Sequence, residues 1–331
     1  MRREQKMTSW NDIVKKHKEA NFLQSPDFGK MNELLGDKVI CDDFNGLGWA
    51  LMIVRNAKRG RYLEISCGPL ANWDKKEDLK AIFSKIAEIG KKEKCVFIRI
   101  RPQLLKTDEN LKILSDLGFK KAPMHLAAEH TVILNLEKSE DQLLAGMRRQ
   151  TRYEVRRAEK LGIKVVSSNT EADFKEFHKI QAETAKRQGF IPPSLKTLMA
   201  EKEAFGDKIQ IYKALTKDDE PIAYGLIIKG GDEGDYYEAA STSLNRKLPG
   251  AYALLWQVTK DLKKEGFKRF NLWGIAPAGQ PHHRYAGVTT FKTGFSGEIT
   301  EFVPAHDLAL SKMHYLADFA FETLRKRKRH L

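Results

Sequence analysis

The chain of 331 residues is long enough for two domains of ordinary size, and its 41% hydrophobic and 31% charged residues describe a folded protein, not a disordered one. A formal net charge of +14 favours polyanionic partners: nucleic acid, diphosphate-bearing substrates or an anionic membrane surface. No stretch approaches the roughly 20 apolar residues of a membrane span. Residues 1–6 lead into no apolar signal segment, and the scattered Cys41, Cys67 and Cys95 suit neither a disulfide framework nor a zinc site, which fits a reducing cytoplasm.

In chain order, an apolar run at 49–55, a turn ending at Gly60 and a second run at 61–64 predict a β-hairpin. Leu79, Ile82, Phe83, Ile86, Ala87 and Ile89 then recur at helical spacing, and residues 96–100 read as a strand. A strand at 132–136 closes the first half. Ser139, with Gln142 three residues on, caps a new helix. The join is placed there, giving a first domain over 1–138 and a second over 139–306. Over 146–160, at about 100° per residue, Arg148, Arg149, Arg152, Arg156, Arg157 and Lys160 share one half of a helix. Leu143, Leu144, Met147, Val155, Ala158 and Leu161 share the other. Arginine forks suit phosphate oxygens, so this ribbon predicts contact with an RNA backbone. A solvated face, partly balanced by Glu154 and Glu159, is the alternative.

The hairpin then returns at 223–238, where Gly60, Tyr62 and Glu64 recur as Gly234, Tyr236 and Glu238. A helix over 251–265, carried by Leu254, Leu255, Val258 and Leu262, leads to a strand at 270–273, as in the first half. Strand–turn–strand–loop–helix–strand therefore occurs twice. The expected fold is α/β (α+β): two related domains with mixed sheets, built by internal duplication. In the Gcn5-related acetyltransferase fold, the loop before that helix offers backbone N–H groups to the pyrophosphate of coenzyme A. Here the loop ends in Arg246, Lys247, Leu248, Pro249 and Gly250, and proline has no N–H. The topology resembles that fold while the coenzyme A cradle is degraded. Lys292 lies between Phe291 and Phe295 beside Gly294 and Gly297, a cation in an apolar rim suited to a developing oxyanion or a phosphate. His282 and His283 have no carboxylate or cysteine at ligand spacing and read as a plain loop pair. A last amphipathic helix over 308–324 ends in the basic run 325–329, which suits anionic lipid or tRNA.

Four stretches resemble the Fem family: 21–30 around Leu23, Gln24 and Ser25; the 152–160 run of Arg152, Tyr153, Arg156, Ala158, Glu159 and Lys160; Thr184, Arg187, Gly189 and Phe190; and Phe291, Lys292, Gly294 and Phe295. The likeness spans about residues 20–305 and is nearest the compact FemX type, since nothing around 187–209 leaves room for a coiled-coil arm. The resemblance implies two acetyltransferase-like domains, with the last helix (307–331) packed on the first. It implies a cytoplasmic, monomeric aminoacyltransferase that needs no metal and no coenzyme. The donor would be aminoacyl-tRNA, whose ester carbonyl is attacked by an amine on the stem peptide of UDP-MurNAc-pentapeptide or lipid II, with peripheral contact at the inner membrane surface as an option. Residue by residue, Lys30 and Arg187 match positions that hold the precursor's phosphates, and Tyr236 or Tyr237 lines the same groove. Lys292 matches the lysine at the aminoacyl end of the tRNA, as a stabiliser of charge and not a base. Arg101 departs from the family, standing where an acid often precedes the proline; Asp108 and Glu109 are the nearest substitutes. The competing expectations are an acyltransferase using acetyl-CoA or tagging proteins from tRNA, and a non-enzymatic RNA-binding protein.

Overall fold

The computed structural model describes residues 9–57, 60–280 and 285–328, so residues 1–6, His282, His283 and the end of the basic tail lie outside the described residues. The chain divides into two compact units, 1–129 with 301–331, and 130–300. In chain order the first unit begins with α1 (Trp10–Lys16), α2 (Pro26–Leu34), β1 (Lys38–Asp42), β2 (Gly48–Ala57), β3 (Gly60–Ser66) and β4 (Leu70–Ala71). It continues with α3 (Lys76–Lys92), β5 (Cys95–Arg101), α4 (Asp108–Asp116) and β6 (Lys120–Lys121). The second unit holds β7 (His130–Asn135), α5 (Glu140–Gly146), α6 (Arg149–Lys160), β8 (Lys164–Ser168), α7 (Glu171–Gln188), α8 (Leu195–Phe205), β9 (Ile209–Leu215), β10 (Pro221–Gly230), β11 (Glu233–Ser241), α9 (Gly250–Lys264), β12 (Arg269–Gly274), α10 (Ala286–Thr293) and β13 (Glu298–Glu301). The chain then returns to the first unit as β14 (His306–Ala309) and α11 (Lys312–Lys328).

The first sheet runs β1-β2-β3-β5-β14-β6, and the second runs β13-β7-β12-β11-β10-β9-β8. Both are mixed. The hairpins β2–β3 and β10–β11 are antiparallel, and each is followed by a crossover helix and a parallel partner, β3 with β5 and β11 with β12. The expected mixed α/β fold with duplicated units is what the chain adopts. The helix α3 buries Leu79, Ile82, Phe83 and Ile86 on its sheet, and α9 buries Leu254, Leu255, Val258 and Leu262. Each such side chain contributes about 1.5–3 kcal/mol relative to exposure.

Some expected bounds move, for identifiable reasons. The strand at 130–135 belongs to the second sheet, where it pairs with β12 from Asn135↔Arg269 to Thr131↔Gly274, so the units divide at 129/130 and 300/301, not at 138/139 and 306/307. The last helix starts at Lys312, later than 308, because residues 306–309 extend as β14 between β5 and β6. Gly234 does not end a turn. It lies inside β11, where a Cβ would come 2.5 Å from Leu262, so the missing side chain admits α9 to the sheet. The expected helix over 146–160 breaks at Met147 and Arg148, both extended (ψ 147 and 143), which inserts Met147 into the core. The capping box at Ser139 forms as expected: Gln142 N donates to Ser139 Oγ (3.2 Å) and Ser139 N donates to Gln142 Oε1 (2.8 Å).

The motif around Gln24 serves the framework. Gln24 is fully buried and substitutes for a strand between β2 and β3: its Nε2 donates to Leu51 O (3.2 Å) and Ser66 O (2.8 Å), and its Oε1 accepts from Leu51 N (2.8 Å). Ser25 caps α2 through Phe28 N (3.2 Å), with Pro26 at the first turn. This fixes the helix on which Lys30 stands, exposed.

Candidate active site in the second unit

The parallel pairing of β11 with β12 runs only from Glu233↔Arg269 to Asp235↔Asn271; beyond that the strands part. Two local distortions force the parting. Tyr237 is an extra residue in β11, since Ile227 pairs with Tyr236 while Leu226 pairs with Glu238. On β12, Trp273 adopts φ +62, and its N–H is taken by Asn271 Oδ1 (2.9 Å). The equivalent strands of the first unit stay zipped through Ser66↔Arg101. Only the second unit carries an open wedge between these strands.

Lys292 serves this wedge from the last turn of α10. Its Nζ donates to Gly274 O (2.9 Å) and lies 5.7 Å from the centre of the Tyr236 ring. The side chain is buried, and burial holds its ammonium down at about 7. Both protonation states are therefore populated at neutral pH. Phe291, Phe295 and Tyr252 lock α10 in place with ring centroids 4.9–6.0 Å apart. A Cβ on Gly294 would come 2.1 Å from Thr151 Oγ1, so glycine is what lets α10 close on α6. Tyr236 faces α9 and is buried beneath Lys292; Tyr237, half-buried, meets Trp273 edge-on at 5.4 Å. Of the two tyrosines, it is Tyr236 that touches the lysine.

The bases of 148–160 divide into two groups. Arg148 is not on the helix face: it precedes α6 and donates to Thr290 O (2.7 Å) and Thr293 Oγ1 (3.1 Å), clamping α10. Arg152 caps the end of α5 through Ala145 O (2.7 Å) and Met147 O (3.1 Å), and Arg157 holds Lys247 O (3.0 Å) and Glu154 (3.1 Å). Arg149, Arg156 and Lys160 make no such bond among the described residues. With Arg152, Tyr153 and Arg157 they line an open cavity of about 480 Å³. The helix face thus presents a basic surface with one exposed aromatic ring.

Arg187, on the last turn of α7, is exposed and donates to Ser241 O and to Thr184 Oγ1 (3.1 Å). This ties a guanidinium to the end of β11, where the 241–250 loop begins. In that loop Asn245 Oδ1 accepts from Ala251 N (3.0 Å), and Pro249 precedes the helix, so an N–H that a pyrophosphate would need is already bonded. Lys30 stands in the other unit. Arg101, also there, is buried against Cys67 Sγ (2.7 Å) and the ring of Phe302, while Asp108 and Glu109 open α4 at exposed positions.

One constellation had no signal in the sequence. Because Tyr237 is extra, Glu238 faces α7 and α8, the opposite side of the sheet from Tyr236. Gln181 Nε2 donates to Glu238 Oε2 (2.6 Å), and buried Glu201 lies close enough for the two carboxyls to interact. Burial pushes both carboxyls up, Glu201 well above its usual range with the Glu238 charge adding to it; the Gln181 bond only partly restrains Glu238, which sits at about 7. Between pH 4.5 and neutrality the folded chain therefore holds more protons here than the unfolded one, so stability is expected to fall as pH rises through that window. Glu201→Gln should flatten the decline in urea-unfolding curves; an unchanged slope would show that the pair does not titrate there. In the first unit the repeat-equivalent Glu64 is instead neutralised by Arg55 (3.0 and 3.1 Å).

The model of the FemAB family matches residues 6–215 and 194–323. The chain is 31% identical over 194 residues to the lipid II:glycine glycyltransferase of Staphylococcus epidermidis, covering 54% of this chain and 46% of that protein, about half its length. It is 19% identical over 352 residues to the aminoacyltransferase FemA of Staphylococcus aureus, covering 81% and 84%. The crystal structure of FemX superposes with a TM-score of 0.83 at 18% identity, over 93% of this chain and 97% of that one. Among the described residues no helix is long and apolar enough to cross a membrane.

Proposed function

We propose, since this chain belongs to the FemAB family, that it transfers an amino acid from aminoacyl-tRNA to the stem peptide of a peptidoglycan precursor. The observation that carries the reading is the buried Lys292 at the parted ends of β11 and β12. In the reaction a neutral amine attacks the ester carbonyl, a C–N bond forms, the C–O bond to the ribose breaks, and the oxygen leaves as a hydroxyl. The ester is already activated, so the protein's task is to orient the reactants and stabilise charge. Lys292, dry and fixed on Gly274 O, supplies positive charge to the oxygen that gains negative charge. The cavity around Arg149, Arg156 and Lys160 suits the tRNA backbone, and Tyr153 within it offers a ring for a base. The bonded N–H of Ala251 and the Pro249 loop speak against coenzyme A as donor.

The test is transfer of labelled amino acids from charged total tRNA to UDP-MurNAc-pentapeptide and, separately, to lipid II. Label on one acceptor is expected; label on neither, with protein folded and tRNA intact, overturns the reading. We assign Arg187 to an acceptor phosphate, and Lys30 likewise. Arg187→Ala and Lys30→Ala should each raise the acceptor KM about 10-fold to 150-fold and leave kcat nearly unchanged, as for a lost charge-assisted hydrogen bond of about 1.5–3 kcal/mol. Unchanged KM in both would remove these residues from the acceptor site.

A further inference from the structure

The helix α11 is fastened to the first sheet along one side only. Tyr315 packs on Phe97 (5.5 Å between ring centres), Asp318 is buried, and Glu322 pairs with Arg99 (2.7 Å). The opposite side is apolar and in water: Met313 is 81% exposed, Leu316 66%, Leu324 64% and Phe321 41%, with Ala317 and Ala320 exposed between them. At about 100° per residue these six form a stripe roughly 140° wide. Lys312 borders it on one side and His314 and Arg325 on the other, while Lys326, half-buried, lies nearer the packed face. The only acids of the helix, Asp318 and Glu322, both lie on the side packed against the sheet.

An exposed apolar stripe between basic borders, with no acid beside it, is the pattern of a helix that lies in a lipid interface. We propose that α11 docks this protein on an anionic lipid surface, its apolar stripe entering the acyl boundary and its basic borders meeting the headgroups. A second copy of the chain fits less well, since pairing α11 with itself would set Lys312 and Arg325 against like charges with no acid to offset them. The docking stands on the helix alone. Its consequence for substrate rests on the transferase reading: the acceptor would be lipid-linked and met at the bilayer.

The experiment is flotation of the full chain with vesicles of equal parts phosphatidylglycerol and phosphatidylcholine, and with phosphatidylcholine alone. Binding is expected to the anionic vesicles only, and to weaken with salt. Changing Met313, Leu316 and Leu324 together to serine should reduce binding about tenfold or more, with circular dichroism unchanged because these side chains touch no core. Changing Lys312 and Arg325 to glutamate should have a comparable effect. Absence of binding to anionic vesicles overturns the proposal. So does binding that survives the triple serine change, which would place the contact on another basic surface. A concentration-dependent dimer that the triple change abolishes would identify a second copy as the occupant and overturn it too. Vesicle binding with no transfer to any acceptor would leave the docking standing and defeat the transferase reading alone.

Discussion

Lys292→Met is expected to lower transfer by about 100-fold to 1,000-fold, the scale for removing one preorganised oxyanion donor, while making the protein more stable. The second half follows from the pKa. Burial takes the Lys292 ammonium from 10.5 to about 7, so between those values the unfolded chain binds a proton that the folded chain has released. Stability therefore climbs as pH rises from about 7 to 10.5, and the full cost of the buried charge is present below that window. At about 1.36 kcal/mol per pH unit the shift from 10.5 to about 7 bounds the cost near 5 kcal/mol. The hydrogen bond to Gly274 O and the contact with Tyr236 are lost with the amine, which leaves a net gain of roughly 1–3 kcal/mol at pH 6 for the methionine variant. Urea unfolding at pH 6 and pH 9 checks it: the variant should lead at pH 6 and lose the rising limb. A variant less stable than the parent at pH 6 would mean that the ammonium is not held at a cost.

Arg99→Ala should be the most damaging single change in the first unit, at about 3–5 kcal/mol. Arg99 is 3% exposed and grips Asp307 with two parallel bonds (2.7 and 2.8 Å) and Glu322 with two more (2.7 and 3.2 Å). Tyr315 adds a hydrogen bond to Asp307 Oδ2 (3.2 Å). Burial raises the Asp307 carboxyl even with Arg99 holding it back, so removing the guanidinium strands a charge with no solvent to take it. Removing all three charges together, as Arg99→Met with Asp307→Asn and Glu322→Gln, should restore most of the loss, because the penalty comes from the unpaired ion and not from the missing bridge. Equilibrium urea unfolding of the two variants decides it. A single variant within about 1 kcal/mol of the parent would show the cluster to be as weak as a surface pair.

The strength of the local signals explains what was legible beforehand. Hairpin, helix and strand patterns at 49–64, 79–100 and 223–273 are dictated by near neighbours, so the duplicated α/β fold could be read directly. The sheet to which the second unit's first strand belongs could not: residues 130–135 have the composition of either sheet, and pairing with β12, more than a hundred residues on, decides their side. The basic half-wheel was visible, but which bases are spent inside the protein was not. Arg148, Arg152 and Arg157 turn to backbone carbonyls of other segments, which a wheel cannot show. Lys292 stood out by its aromatic neighbours, whereas its burial comes from α10 closing on α6 and on β12. Glu238 showed only as the repeat of Glu64, and its meeting with Gln181 and Glu201 left no trace, because one inserted residue, Tyr237, reverses the face on which Glu238 emerges and alternation along β11 predicts the opposite.

The strand β14 lies between β5 and β6, yet it is encoded after the whole of the second unit. On the ribosome, the half of the protein made first is therefore the half completed last. Until residues 306–309 emerge, β5 presents an unpaired edge and Arg99 waits for Asp307. At about 5–20 residues per second that interval is on the order of ten seconds, during which the later half, a continuous stretch, is free to close its own sheet. A message cut short between residue 300 and β14 would release a product whose second half is finished and whose first half still shows the growing cell an open, sticky edge.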